Sequence, residues 1–564
     1  MKKIDWGKAL IGLMAIIFIA GRSINLNWGT PYFFHPDERN VASAVDKIHQ
    51  NRETNKSGLI RFESDFYAYG GVPIYTVYYL SEWSNYFIDR SFFEIAIIWG
   101  RVISITWSLI VIGLMVLIAK ELNPGKWLWY VFILSATSFG WIQFSRYGTF
   151  EMWLTGLGLL ILWSCLRIWK HNKLRDWMLG GIFLGLAIGT KIPSIVMLGI
   201  PTLSGLSFIG SSSGIGRLKM WTSLIGRNLL LLMIAVLIVF WTNPMMLNHE
   251  DYQIESLGKL YANSLINLPE AIHDSINNMI EEVKNNDVGI TETMNIRTMA
   301  PLIRILNPDF VHSMNVEGAI AKGSLKVFYT RHFNGTTPVL YQLTRIVPWL
   351  ISWPMMLAGI MGVGLMIFGG IYKKNFGLIL VLAWWMLQAI FVFSLFVKWT
   401  RYMVPLMPIF IWGAAWYWNW IEELFMNYKN RVVSYLIKSV YWFSWIWHIV
   451  FSLMLFITIT QTDTRIEAAN WVEENKIDRK WRVLSEVYDL GIVPMNSKFD
   501  KIDLFNFYDL DDQEDSQILE MELEEKFERY EVFIITSRRL WYHTIQNPDL
   551  YPKASEFYRK LLSG

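Results

Sequence analysis

"YGGVPIYTVYYLSEWSNYFID", residues 69–89, decides how the chain is threaded. It is long and apolar enough to be a membrane-span candidate, yet it is rich in Tyr and carries Glu82. Such a stretch can cross a bilayer or lie flat at its surface. Unambiguous apolar segments of spanning length occur at about 7–25, 93–119, 127–145, 149–169, 176–190, 192–210, 221–242, 343–371, 376–397, 402–421 and 438–460. The basic connections are "MKK", "KELNPGK", "RIWKHNKLR", "GRLKM", "IYKKN" and "NYKNR". If residues 69–89 do not span, all six fall on one side, which the positive-inside rule makes cytoplasmic. If they span, the first falls opposite the other five. The reading is therefore about eleven spans, with the amino end inside, the carboxyl end outside and residues 71–89 at the outer interface.

Composition agrees with a polytopic α-helical membrane protein. Of 564 residues, 53% are hydrophobic and 16% aromatic, a load that a water-exposed surface rarely carries. The net charge of +3 and the absence of a basic tail exclude a nucleic-acid partner. One cysteine, Cys165, excludes an internal disulfide framework and a Cys-based zinc site. The basic start and long apolar run of the N-terminus, without a small-x-small cleavage site, read as a retained first span.

This threading collects the unusual residues on the outer face. They lie in two outer loops, about 27–92 and 243–342, at "SRYGTFE" (145–151), "GTK" (189–191) and "KWTRY" (398–402), and in the tail. From about residue 462 the composition turns charged and mixed. "TRIEAANWVEENK" reads as a helix, "WRVLSEVYDL" and "DLFNFYDL" as strands, "ILEMELEEKFERY" as a helix and "EVFIITS" as a buried strand. The expected organisation is a transmembrane unit, 1–461, and a small extracytoplasmic α/β domain, 462–564. Within the membrane unit, Gly181, Gly185 and Gly189 stand four apart, the pattern of a close helix-packing face.

"FFHPDERN", residues 33–40, places Asp37 and Glu38 just beyond the first span. Pro36 and the two acids also make a good helix start, and Val41, Ala44, Val45 and Ile48 continue with helical spacing. Four basic residues, Arg146, Lys191, Lys398 and Arg401, break the inside bias at outer span ends, alongside the acids Asp37, Glu38 and Glu151. Basic side chains there often only snorkel to headgroups. Four on one face, next to acids, point to use, because charges at the membrane are costly unless paired. Arg and Lys at that depth suit a lipid phosphate. A carboxylate above it suits removal of a proton from an incoming hydroxyl. The phosphate is then the leaving group, and the cations offset its developing charge.

The chain resembles the GT-C class of membrane glycosyltransferases, in particular the lipid-carrier-dependent group of protein mannosyltransferases and aminoarabinose transferases. "HPDERNVASAVDKI" is similar to their first-outer-loop acidic motif, which implies that Asp37 is the catalytic base. "YGGVPIYTVYYL" is similar to the juxtamembrane segment that follows. "SRYGTFEMWLTGLGLL" resembles the second outer-loop motif and matches Arg146 and Glu151, with Glu where Asp is commoner. "GLAIGTKIPSIV" and "KWTRYMVPLMPIF" match further recurrent pieces, and "EAANWVEENK" and residues 530–562 resemble the tail. The Lys-Pro-Pro of aminoarabinose transferases is replaced by "GGVP".

The resemblance implies an inverting transfer of a sugar from a polyprenyl-phosphate donor to a lipid, glycan or protein hydroxyl, at the outer face of the plasma membrane. Catalytic candidates are Asp37, Glu38 and Glu151. Arg401, Tyr402, Arg146, Lys191 and Lys398 are candidates for the donor phosphate. His35, Arg331 and His332 are candidate substrate contacts, Arg331 and His332 within "YTRHFNGTTPVLYQL". No His-based metal motif is present, and a divalent ion is a candidate cofactor only on Asp37, Glu38 or Glu151. The competing reading is a transporter or flippase of lipid-linked sugars, which predicts mid-membrane charges in broken helices and repeat symmetry.

Overall fold

The computed structural model describes residues 6–54, 64, 66–208, 215–247, 306–325, 327–427, 430–486, 490–505, 507, 510–511, 516–535 and 541–563. The basic "MKK" and most of the second outer loop, 248–305, lie outside the described residues. Six described helices are long and apolar enough to cross a membrane: Phe92–Leu122, Glu151–His171, Leu218–Thr242, Trp353–Tyr372, Phe376–Ser394 and Arg431–Thr460. Their outward faces show why they need a bilayer. Leu229, Leu237 and Trp241 on one helix, and Leu436, Phe443, Ile446 and Met454 on another, are exposed. A contiguous apolar surface of this size in water would be an aggregation site. In lipid it is the matched surface.

Several expected spans are interrupted instead of continuous. Residues 127–145 form Trp127–Thr137 and Phe139–Ser145, separated at Ser138, whose backbone is extended. The segment 343–371 is a π-turn Gln342–Ile346, a short helix Val347–Ile351 and helix Trp353–Tyr372, broken at Ser352 with φ 71°. Buried His448 spans both breaks, 2.9 Å from Thr137 Oγ1 and 3.2 Å from Ser352 Oγ. It thereby supplies hydrogen bonds where the ladders are cut, which an apolar interior otherwise lacks. After "KWTRY" the chain makes helix Thr400–Met403, a 3₁₀ turn Val404–Leu406 at Pro405, and helix Met407–Asn427.

The glycine face of helix Leu174–Thr190 is a contact surface. An added Cβ at Gly181 or Gly185 would meet the carbonyl oxygens of Leu231 and Ala235 at 2.7 and 2.8 Å, so backbone lies on backbone there. The decisive Tyr-rich stretch forms helix Gly71–Asn85, 15 residues long. At 1.5 Å per residue it is about 22 Å long, too short for a typical hydrocarbon core. One face is buried (Val72, Ile74, Val77, Tyr78), while Trp83, Tyr86 and Phe87 are exposed. Glu82 is matched by His49 Nδ1 at 2.5 Å.

Beyond Thr460, helix Thr464–Glu474 leads into a three-stranded parallel sheet. β1 (Arg482–Glu486) is central between β2 (Lys501–Phe505) and β3 (Val532–Ile534). Successive β1 residues feed opposite layers, as a pleated strand must. Val483 packs with Ala469, Val472, Ile492 and Phe499; Leu484 packs with Phe505, Leu523 and Tyr558. The tail therefore has its own buried clusters on both faces of its sheet.

Candidate active site

Helix Pro36–Thr54 starts where the sequence placed it, with Asp37 and Glu38 in its first turn. Neighbouring side chains on a helix point about 100° apart, so the two acids face different surroundings. Glu38 is buried against helix Phe92–Leu122. Its oxygens take the Arg101 guanidinium in a fork, 2.8 Å from Nε and 2.9 Å from Nη2, and Oε1 also accepts from Gly148 N at 2.5 Å. Arg101 Nη1 continues to the carbonyls of Leu26 and Trp28. This one ion pair ties the acidic helix, the loop before it and the 146–150 loop to a single point. Glu38 is thus engaged on both oxygens, and Arg101, within a long apolar run, is the residue that sequence reading passed over. A lone Arg nine residues into such a run is itself the signal.

Asp37 faces the other way, half-buried, and pairs with Arg401 Nη1. Burial pushes its carboxyl up, but Arg401, then His35 and Lys191, hold it below the usual carboxylate range. Arg401 lies 5.6 Å from the Tyr402 ring and 6.0 Å from Trp399. Lys191 Nζ sits between the rings of Tyr69 and Tyr402, at 5.2 and 5.3 Å. Glu151, 2% exposed, is close enough to act electrostatically on Tyr69 and Arg401. So Asp37, Glu151, Arg401, Tyr402, Lys191 and the unforeseen Tyr69 converge, although they are scattered over 366 positions of sequence, counting from Asp37 to Tyr402.

The site has buried polar atoms that no group among the described residues satisfies: both Glu151 carboxylate oxygens, Tyr69 OH and Arg401 Nε. Such groups are costly in a native interior and mark places where a polar ligand or water is met. Among the described residues, no cluster of three His, Cys, Asp or Glu side chains is arranged to hold a metal ion. Glu38 is committed to Arg101, and Asp37 to Arg401.

Tyr69 and Lys191 owe their meeting to Gly70. Gly70 N donates to Thr190 O at 3.0 Å, and Gly71 N donates to Asn243 Oδ1 at 2.5 Å. A Cβ at Gly70 would fall 2.0 Å from Gly189 O. Gly70→Ala is accordingly expected to cost about 1–3 kcal/mol as overpacking and to impair the site by separating Tyr69 from Lys191. Gly113→Ala, where no atom lies within 4 Å, is the control, and the melting temperature of each purified variant is the measurement.

The remaining sequence candidates go elsewhere. Arg146, grouped with Arg401 by its position, instead donates from Nη2 to Ile459 O at 3.3 Å, at the end of helix Arg431–Thr460. Lys398 is 4% exposed and donates to Phe396 O at 2.9 Å among the Phe333 and Phe396 rings. Burial lowers its pKa. It is an aromatic-nest anchor, not a neighbour of the Asp37 pair. His35 packs against Tyr147 in a tilted pair, ring centroids 4.5 Å apart. His332 packs near Trp399, and Arg331 lies over Tyr551 of the tail at 5.8 Å, beside an Asn334–Tyr551 hydrogen bond of 3.1 Å.

Comparison with known proteins adds to this geometry. Residues 87–241 match the family described as dolichyl-phosphate-mannose-protein mannosyltransferase. This segment holds Arg101, Arg146, Glu151 and Lys191, and it bears out the resemblance to lipid-carrier-dependent GT-C glycosyltransferases. No curated protein sequence gives a significant match. Among solved structures, the oligosaccharyltransferase of Archaeoglobus fulgidus tethered to an acceptor peptide aligns at TM-score 0.49 and 13% identity, over 89% of this chain and 64% of that one. The same archaeal enzyme, AglB, with an inhibitory peptide and dolichol-phosphate aligns at 0.47 and 12%, over 86% and 62%. ArnT from Cupriavidus metallidurans bound to undecaprenyl phosphate aligns at 0.47 and 12%, over 94% and 89%. The chain thus spans a little under two thirds of the archaeal enzyme's length.

Proposed function

We propose that this chain is a GT-C glycosyltransferase that moves a sugar from a polyprenyl-phosphate donor to an acceptor hydroxyl, by single displacement, on the non-cytoplasmic side of the membrane. The observation that carries the reading is the Asp37–Arg401 pair beside Lys191, Tyr402 and Glu151. A base and a phosphate-binding cation stand in one place, at the ends of apolar helices. The side follows from the basic connections, such as 167–175, which lie a helix length away from Glu151.

In the reaction, the acceptor oxygen attacks the anomeric carbon as its bond to the phosphate oxygen breaks. The proton passes to Asp37, and the electron pair leaves on the polyprenyl phosphate. One displacement inverts the anomeric centre. Arg401 has two duties in sequence. Before the donor arrives it neutralises Asp37. An incoming phosphate competes for the same guanidinium, and Asp37 regains basicity as it loses its partner. Lys191 shares the developing phosphate charge, and Glu151 accepts hydrogen bonds from sugar hydroxyls.

Arg401→Ala is expected to weaken binding of a labelled polyprenyl-phosphate sugar about 10- to 100-fold, the range for lost charge-assisted hydrogen bonds. Arg401→Lys should weaken it less, since Lys keeps the charge but not the fork. Unchanged donor affinity in Arg401→Ala would leave the residue as a snorkelling anchor. The helix breaks at Ser138 and Ser352 are features that a transporter also uses. They hold neutral groups around His448, whereas Asp37, Glu151, Lys191 and Arg401 stand at helix ends, and this favours transfer.

A further inference from the structure

We infer that the chain carries a second anion site, centred on Arg146, that takes the anionic group of a hydroxylated acceptor; the assignment of that ligand as acceptor rests on the transfer function proposed above. A cavity of about 230 Å³ lies between the 143–147 segment and residues 458–464. Its polar wall includes Gln143, Arg146, Gln461 and Thr462, and its aromatic wall is Trp28 and Tyr147. The space accommodates a headgroup of several non-hydrogen atoms.

The charge of the cavity is set by what its ions already hold. Asp463 also lines it, but its carboxylate is taken by Arg465 through bonds of 2.7 and 2.6 Å and by the backbone of Arg465 at 3.0 Å. Nearby Arg101 is consumed by Glu38. Among the described residues, no carboxylate pairs with Arg146. It is 8% exposed, one Nη2 bond reaches Ile459 O, and Nη1 has no partner among the described residues. Ile459 O belongs to a helix carboxyl end, which by itself repels anions; Arg146 covers that carbonyl and reverses the local sign. The result is a buried, partly unsatisfied guanidinium in a cavity whose other polar side chains, the paired Asp463 apart, are amides and hydroxyls. A phosphate or carboxylate fits the cation, and sugar or polyol hydroxyls fit the remainder.

The cavity also stands in the right relation to the base. Tyr147, in its wall, packs against the His35 ring, and His35 acts on Asp37. An acceptor anchored at Arg146 can pass this pair and present a hydroxyl to Asp37. Donor and acceptor are then held by different arginines, Arg401 and Arg146. Because the cavity opens beside the end of a membrane helix, the anion can belong to a lipid headgroup or to a soluble polyol phosphate.

Titration of the purified full chain in detergent with sn-glycerol 1-phosphate, with glycerol as the neutral control, tests the site. Binding of the phosphate and not of glycerol is expected. Arg146→Gln should weaken it about 10- to 100-fold, and Gln461→Leu, which spares the Arg146–Ile459 bond, should weaken it several-fold. Tighter binding of dihexanoyl phosphatidylglycerol would assign a lipid headgroup, and equal binding a soluble ligand; both support the site. Equal glycerol phosphate affinity in the parent and in Arg146→Gln overturns it. So does loss of labelled polyprenyl-phosphate sugar in Arg146→Gln as severe as in Arg401→Ala, which would place Arg146 in the donor site. If the parent binds glycerol phosphate but no polyprenyl-phosphate sugar, the transfer reading fails while the anion site stands.

Discussion

Asp37→Asn is expected to lower sugar transfer about 10²- to 10⁴-fold, the usual contribution of a positioned general base, while the protein still binds its donor. The amide keeps the shape of the side chain and loses the charge that pairs with Arg401. Freed of that partner, Arg401 should bind the donor phosphate at least as well as before. A loss of transfer together with retained or tighter donor binding is therefore the signature, and it separates a base from a residue that merely holds the site together. Near-normal transfer by folded Asp37→Asn protein would sink the assignment. The same pair sets a pH dependence. In the free enzyme Arg401, His35 and Lys191 hold the Asp37 carboxyl below the usual carboxylate range. Its ionised form, and the stability the pair adds, are then present at neutral pH and lost only as pH falls through that depressed value. Once a donor phosphate draws Arg401 away, the carboxyl rises. The acid limb of kcat, which reports the bound enzyme, should lie at higher pH than that of kcat/KM, which reports the free enzyme. Coincident limbs would mean that Arg401 does not change partners.

What the sequence discloses is what local spacing controls. The start at Pro36, the short helix at Gly71–Asn85, the glycine face at Gly181 and Gly185, and the helix–strand order of the tail all follow from patterns within a few turns of chain. Counting Arg146, Lys398 and Arg401 by their height in the membrane puts them together. Arg146 and Lys398 lie in non-helical connections just outside helix ends, where no periodicity in the sequence fixes the direction of a side chain; Arg146 turns to Ile459 O and Lys398 into an aromatic nest. Tyr69 was invisible among many tyrosines, because its role comes from Gly70 lying on Gly189, a contact between segments 119 positions apart in sequence. The breaks at Ser138 and Ser352 were hidden too. Both lie in unbroken apolar text, and the groups that make them tolerable are brought by His448 from a third helix.

The largest effect on stability is expected at Glu38 and Arg101. Their adjacency to Asp37 invites a catalytic reading of Glu38, but the geometry makes it a positioning residue, because both oxygens are spent inside the protein. The side chains of the pair are 1% and 0% exposed. Removing one partner of a buried pair strands the other charge and typically costs about 3–5 kcal/mol. Glu38→Gln retains an acceptor for Gly148 N but leaves Arg101 uncompensated, and should lower the melting temperature of the purified protein sharply. Arg101→Met strands Glu38 and also releases the carbonyls of Leu26 and Trp28, so it should be at least as harmful. The double variant is the informative one. If the damage comes from an unpaired buried charge, Glu38→Gln combined with Arg101→Met should be more stable than the sum of the single losses predicts, with a coupling of about 0.5–3 kcal/mol. Its transfer activity should return in part as well, since Asp37 regains its helix position without Glu38 ever touching substrate. A double variant that recovers stability and shows no transfer at all would instead give Glu38 a direct part in the chemistry.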